Sequence, residues 1–411
     1  MRIRNNFAGA AILPLLLLAA PAQAQVSAQA NPQGLQIKPL LDTRLRYEHV
    51  DQGVLEADAV TVRLRAGAEV VAGKLSVLAE GEGTLALADS YNAFPFALPG
   101  ESQRRPRFAV VADPQNLELN RLQVQYRSGG NALTVGRQRI NLDDQRFVGA
   151  VGWRQNEQTF DAVRGEGKLG PINADLTYAI AQRTVYGEDA GPRAAYDGNF
   201  VFAGLGSKLG NVQGKLFAYL IDYDEAVVVA NSSQTYGGYL TGAIPLGGKT
   251  KLNLRASYAR QSDYRSNPFN YAADYINVEG GTTLAGFTLT GGWEKLGSDN
   301  GRAVQTPLAT LHKFNGWADL FLTTPAAGLE DSYVGLSRKF DGVKQLPGLN
   351  AAIMFHQFDS DIGNIEHGTE LDASLGFKIG KIGVLLKYAD YDAKNFGVDT
   401  RKVWLQAEWA L

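Results

Sequence analysis

Leu41-Asp42-Thr43-Arg44-Leu45-Arg46-Tyr47-Glu48 sets Leu41, Leu45 and Tyr47 on one side of an extended chain and Asp42, Arg44, Arg46 and Glu48 on the other. One short turn later, Val60-Thr61-Val62-Arg63-Leu64-Arg65-Ala66-Gly67-Ala68-Glu69-Val70 repeats the pattern. A strand half-buried in a soluble core also alternates, so the pattern decides nothing alone. It recurs along nearly the whole chain behind a secretion signal, and that combination reads as an all-β, transmembrane antiparallel up-and-down β-barrel, with lipid outside and water inside.

The secretion signal is Arg2 and Arg4, an apolar run from Ala10 to Ala20 broken only by Pro14, and the cleavage triplet Ala22-Gln23-Ala24. The run is shorter than the roughly 20 residues a membrane-spanning helix needs. The expected organisation is therefore a removed signal peptide at 1–24, a short segment at 25–36 and a single outer-membrane barrel domain at 37–411. Beyond Ala24 no comparable stretch lacks charge, so any passage through lipid falls to strands in a closed barrel. Losing Arg2 and Arg4 leaves 38 basic against 42 acidic residues, a near-neutral balance that offers nucleic acid nothing. There is no cysteine, so stability in an oxidising compartment comes from something other than disulfides, and a closed hydrogen-bonded barrel is one such source. The 46 glycines, 17 tyrosines and 18 phenylalanines suit strands better than helices.

The connections interleave by length. Short turns are expected near 71–74, 128–131, 167–171, 207–211, 246–250, 280–286, 341–348 and 379–381, and long polar loops near 89–116, 141–157, 184–198, 224–234, 261–271, 297–329, 359–368 and 392–399. Periplasmic turns at one end and extracellular loops at the other produce this rhythm, and the count is about 18 strands. The last strand carries Val403, Leu405, Ala407, Trp409 and Leu411 on one face up to the final residue, like the terminal strand of outer-membrane barrels.

If the leucines face lipid, Arg44, Arg46, Arg63 and Arg65 face water, joined by Glu80, Glu82, Arg121 and, later, Glu370, Asp372 and Lys378. Charged rings in an aqueous lumen select by sign, and the guanidinium fork matches a carboxylate. The same arginines pair equally well with Glu69, Glu80, Glu82 or Asp161 and brace the wall. Both readings stand at this point.

Other motifs carry less. His49, His312, His356 and His367 have no metal-ligand spacing. Asp359, Asp361, Asn364 and Glu366 depart from a calcium-loop spacing and read as a solvated acidic loop. Gly204-Leu205-Gly206 opens no helix, and no G-x-S-x-G elbow occurs. No catalytic group, metal or cofactor is expected.

Two loop stretches hold more than barrel physics requires. One is Gly136-Arg137-Gln138-Arg139-Ile140, then Arg146-Phe147-Val148-Gly149, Gly152-Trp153-Arg154-Gln155-Asn156 and Phe160-Asp161-Ala162; the other is Gln305-Thr306-Pro307-Leu308-Ala309-Thr310-Leu311-His312 with Phe314-Asn315-Gly316-Trp317-Ala318-Asp319. With the strand pattern they resemble the alginate-export family of outer-membrane porins. The resemblance implies an 18-stranded monomeric barrel, loops folded inward, and an arginine-rich constriction to which Arg137, Arg139 and Arg154 contribute. Arg137 and Arg139 share parity with Leu133 and Val135, so a bulge at Gly136 is needed to turn them inward. The expected function is passive passage of alginate-like acidic saccharides or other small acids. The expected partners are outer-membrane lipid, the anionic solute and, for an exporter, periplasmic polysaccharide synthesis or secretion proteins. The alternative is a general or nutrient-uptake porin whose arginines are a structural charge ladder.

Overall fold

A computed structural model describes residues 34–248 and 250–411; the signal peptide expected at 1–24 lies outside them. The strands are β1 (Gln36–Gln52), β2 (Leu55–Ala72), β3 (Leu75–Ser90), β4 (Asn116–Ser128), β5 (Asn131–Gln138), β6 (Thr159–Leu169) and β7 (Ile172–Arg183). They continue as β8 (Ala195–Leu209), β9 (Val212–Tyr223), β10 (Ser233–Gly247), β11 (Thr250–Asp263), β12 (Ala272–Leu284) and β13 (Phe287–Leu296). A small ribbon, β14 (Ser298–Asp299) with β15 (Arg302–Ala303), follows inside one loop. The set ends with β16 (Leu329–Lys339), β17 (Asn350–Asp359), β18 (Glu366–Ile379), β19 (Ile382–Ala393) and β20 (Thr400–Ala410).

Eighteen of these form one antiparallel sheet, and β1 pairs with both β2 and β20, which closes it. Closure satisfies every strand edge, the condition for a sheet to live in lipid. The terminal strand zips onto the first from Asp42↔Ala410 to Gln52↔Thr400. Alternation then sorts the side chains. Leu45, Leu64, Val124, Leu240 and Leu405 stand on the outer surface, while Arg46, Arg63, Tyr219 and Trp404 are buried inside.

Eight turns and both strand termini lie at one end, and nine connections at the other, the extracellular end by their length. Two connections depart from the length rule. Gly53-Val54 links β1 and β2 at the long-loop end in two residues, because Gly53 adopts φ +63°. At the turn end, 340–349 forms a longer hairpin tied by Phe340 N donating to Leu349 O.

The long loops do not all spread outward. Segment 91–115 packs over β1–β3 through Tyr91, Phe94, Ala109 and Val111. Segments 139–158 and 297–328 turn into the lumen, where Ile140, Leu142, Trp153, Leu308 and Trp317 meet inward side chains such as Phe200, Phe202, Tyr219 and Trp404. The interior therefore has an apolar core of its own as well as charged walls.

Candidate functional site: the lumen constriction

Register fixes the basic wall. Arg44 lies opposite Arg63 on β2 and Glu408 on β20, and Arg65 lies opposite Glu82 on β3. Two guanidiniums side by side repel; Glu408 sits against both, 3.0 Å from Arg44 and 3.3 Å from Arg63, and Asp42 also pairs with Arg63. Arg46 and Arg63 have 0% exposure, so these charges do not stand free in water.

Their remaining donors hold segment 139–158. Arg44 Nη1 donates to the carbonyls of Gly152, Trp153 and Arg154 at 3.1, 3.0 and 3.1 Å. Arg46 donates to the Trp153 carbonyl, to Gln406 and, at 3.3 Å, to Asp113, with its guanidinium 4.1 Å above the Trp153 ring. Arg65 donates to the Gln155 carbonyl at 3.3 Å and pairs with Glu82 and Glu157. The segment also reaches across the lumen, with Asp143 to Lys215 at 2.9 Å, Asp144 to Arg255 at 2.8 Å and Arg146 to Glu294 at 3.0 Å.

The opposite wall is acidic and holds segment 297–328. Ala318 N donates to Glu370 at 2.7 Å and Trp317 N to Asp372 at 3.2 Å. Asn315 donates to Glu294 at 2.7 Å and to Asp331 at 3.2 Å. At Gly316, φ +81°, a Cβ would stand 2.3 Å from the Glu370 carboxylate, so only glycine lets the backbone come this close. Lys387 of β19 lies 3.6 Å from the Trp317 ring and 4.1 Å from that of Trp153, and donates to His312 Nε2 at 2.7 Å. His312 stacks on Trp153 and meets Asp319 at 2.8 Å through Nδ1.

The two segments also grip each other. Arg154 pairs with Asp319 at 2.8 Å, and Gly149 N donates to Leu308 O at 2.8 Å. Burial alone would lower the Arg154 guanidinium, but Glu48, Asp319 and Asp113 outweigh it and hold it above its ordinary value. Burial alone would raise the Glu157 carboxyl; Arg139 and Arg65 instead hold it well below the usual carboxylate range. Burial pushes the His312 imidazole well below its ordinary value, against the pull of Asp319. A neutral ring is what a Lys387 ammonium at 2.7 Å demands.

A bulge builds the third wall. The β3–β4 register slips at Asn120, turning both Asn120 and Arg121 inward. Asn120 donates to Glu80 and Glu157 at 3.0 and 2.7 Å, and Arg121 forks onto Glu80 with both bonds at 2.7 Å. Arg139 pairs with Glu157. The carboxylates lie beneath the guanidiniums: side-chain exposure is 14% for Arg121 against 5% for Glu80, and 25% for Arg139 against 1% for Glu157.

The structure thus brings Arg44, Arg46, Arg63, Arg65, Glu80, Glu82, Arg121, Arg139 and Arg154 together around the inward segments. Arg137 and Asp161 differ from expectation. The register of β5 carries no slip at Gly136, so Arg137 keeps the outward parity of Leu133 and Val135; Arg139 needs no bulge, because β5 ends at Gln138 and Arg139 turns to Glu157 beyond the strand. Arg137 pairs at 2.8 Å with Asp161, which also meets Arg183 at 3.1 Å, near the loop-end rim. Gly136, φ +113°, serves close strand approach instead: a Cβ there would lie 2.3 Å from the Leu122 carbonyl oxygen. Sequence reasoning passed over Glu408, Lys387, Glu294 and Asp331 as site residues. Parity would have found them, since each alternates with outward apolar neighbours such as Leu386 and Val334.

A closed 18-stranded barrel with an apolar outer face, a charged lumen and loops folded into it has the architecture of an outer-membrane porin-type channel. The chain belongs to the Alginate export family, whose model matches residues 42–298. No curated protein matches it by sequence. Solved structures share the fold at low identity. OpdO of Pseudomonas aeruginosa is 15% identical, with 92% of this chain and 97% of that one covered and a TM-score of 0.69. OpdK of the same organism, solved with vanillate, is 16% identical over 92% and 98%, TM-score 0.69. OccAB4 of Acinetobacter baumannii is 13% identical over 93% and 100%, TM-score 0.72.

Proposed function

We propose that this porin passes acidic saccharides of the alginate type, or other small acids, passively and with preference for anions. The observation that carries the reading is the layering at Arg121 and Arg139. Their carboxylate partners are buried behind them, so a solute meets guanidinium first; Arg121 commits Nε and Nη2 to Glu80 and Arg139 commits Nη2 to Glu157, which leaves Nη1 of each for charge-assisted hydrogen bonds to a carboxylate. The family's name and the vanillate in the OpdK structure agree with an acidic solute. As an exporter the channel works with periplasmic polysaccharide synthesis or secretion proteins, after removal of residues 1–24.

A second reading is favoured by the basic wall: Arg44, Arg46 and Arg65 spend their donors on loop carbonyls, as a structural ladder does. Reversal potentials in a salt gradient across a planar bilayer decide between the two. The anion-favouring reading expects chloride over potassium, with the preference falling severalfold in an Arg121→Gln, Arg139→Gln double variant. A native channel with no anion preference leaves a general porin.

A further inference from the structure

We infer that the periplasmic mouth of the barrel carries a capture arc for acidic polymers, which gives the channel a sidedness. This rests on the anion-favouring reading above and adds where the anion is first held.

Lys168 of β6, Lys208 of β8, Lys251 of β11, Lys339 of β16 and Lys378 of β18 each occupy the last or next-to-last position of a strand at the short-turn end. All five have lumen parity. Lys168 follows Arg164, Lys251 precedes Arg255, Lys339 follows Asp331 and Lys378 follows Asp372, each in steps of two, while Leu169, Leu209 and Ile379 point outward. All five are exposed.

What separates them from the arginines higher in the lumen is the lack of a counter-charge. Their cross-strand partners are Asn173, Gln213, Pro245, Asn350 and Gly383. Among the described residues none of the five forms an ion pair, and residues 1–33 and 249 contain no Asp or Glu that would supply one. The wall carboxylates nearest this end are already engaged: Glu69 with Lys38, Glu166 with Arg164 and Asp175 with Lys215. In the hairpin 340–349, Asp341 is offset by Lys344. These five inner-wall lysines, without an ion pair among the described residues, therefore lie together at the periplasmic end.

The eight strand steps from β18 through β20 and β1 back to β6 carry none of the set, while from β6 round to β18 neighbouring lysines stand two or three strands apart, roughly 10–15 Å at the usual strand spacing. That is close to the screening length of about 8 Å in physiological salt, so a small anion feels one lysine at a time. A polymer with a carboxylate on every unit touches several at once and gains by effective concentration. Low-dielectric walls focus the field into the mouth. Exposed lysines on flexible stems hold such a chain by charge, without a fixed geometry.

The test uses the full-length barrel in planar bilayers, oriented by an Asn211→Cys thiol in a periplasmic turn, unique because the chain has no cysteine, and an impermeant thiol reagent. A uronate decamer added on the periplasmic side is expected to interrupt ion current at a concentration at least tenfold lower than from the other side. Monomeric glucuronate is expected to show no such difference. Changing Lys168, Lys208, Lys251, Lys339 and Lys378 to Gln is expected to abolish the asymmetry in a barrel that still inserts and opens. Equal block from both sides, or asymmetry that survives the five substitutions, overturns the capture arc. Small-ion reversal potential is read in the same experiment. If chloride preference holds and sidedness is absent, only the capture arc fails; if chloride preference is itself absent, the anion reading fails with it.

Discussion

The wall made by β1, β2 and β20 and the wall made by β16, β18 and β19 do the same job with opposite chemistry. The first donates guanidinium hydrogens to the carbonyls of 152–155, and the second accepts the amides of 317 and 318 on carboxylates. The difference lies in reach. Arg44 sets Nη1 within 3.1 Å of three successive carbonyls and still has Nη2 for Glu408, whereas Glu370 and Asp372 take one of these amides each. The basic wall is therefore the stronger clasp, and its charges are the less available to a solute.

Removing a basic clasp is expected to have the largest effect. Arg46→Ala strands Asp113, Gln406 and the Trp153 carbonyl in a buried site, which costs about 3–5 kcal/mol of local attachment. Faster amide hydrogen exchange across 139–158 and larger, noisier single-channel currents are the measures; unchanged exchange would mean that the loop is seated by packing alone. On the acidic wall, Glu370→Ala removes one charge-assisted bond and is expected to cost about 1.5–3 kcal/mol, seen as faster exchange at Ala318 and none at 152–155. Exchange spreading equally to both segments would show that the walls do not act separately.

The acidic-side seat is also expected to depend on pH, because it contains His312. Burial depresses this imidazole well below its ordinary value near 6.5, so a released segment takes up a proton that the seated one refuses. The contribution is full above about pH 6.5 and is lost as pH falls from there toward the depressed value. Exchange at 311–319, corrected for its intrinsic rate, should therefore rise between pH 7.5 and 5 in the native protein and stay flat in His312→Gln. A slope that persists in the variant assigns the effect to other groups. The smallest effect belongs to Arg137→Gln on the outer rim: less than about 1 kcal/mol in stability, with ion selectivity untouched. A selectivity change there would put Arg137 back on the solute path.

Much of the fold is legible in the residues. Alternation of the 41–48 and 60–70 type assigns each strand and its outward face, and turn spacing gives their number to within two. Arg44, Arg63, Glu82 and Arg121 follow from parity. Arg137 does not, because a sequence cannot say whether Gly136 serves a bulge or a close approach; the register supplies that, with the bulge in β4 at Asn120. The inward course of 139–158 and 297–328 is visible only as unusual motif content, since nothing local distinguishes a loop that enters the lumen from one that leaves it.

By itself the sequence determined the closed barrel, the sorting of lipid-facing from lumen-facing side chains and the ends at which turns and loops lie, because a period of two is a local property of an extended backbone. Only the tertiary structure decided which lumen charges are occupied. Arg44 meets the carbonyls of 152–154 across more than a hundred residues of chain, and Glu370 meets Ala318 across 52. Ion pairing and desolvation depend on such distant encounters, and they are what separate a clasping arginine from a lysine left free at the periplasmic mouth.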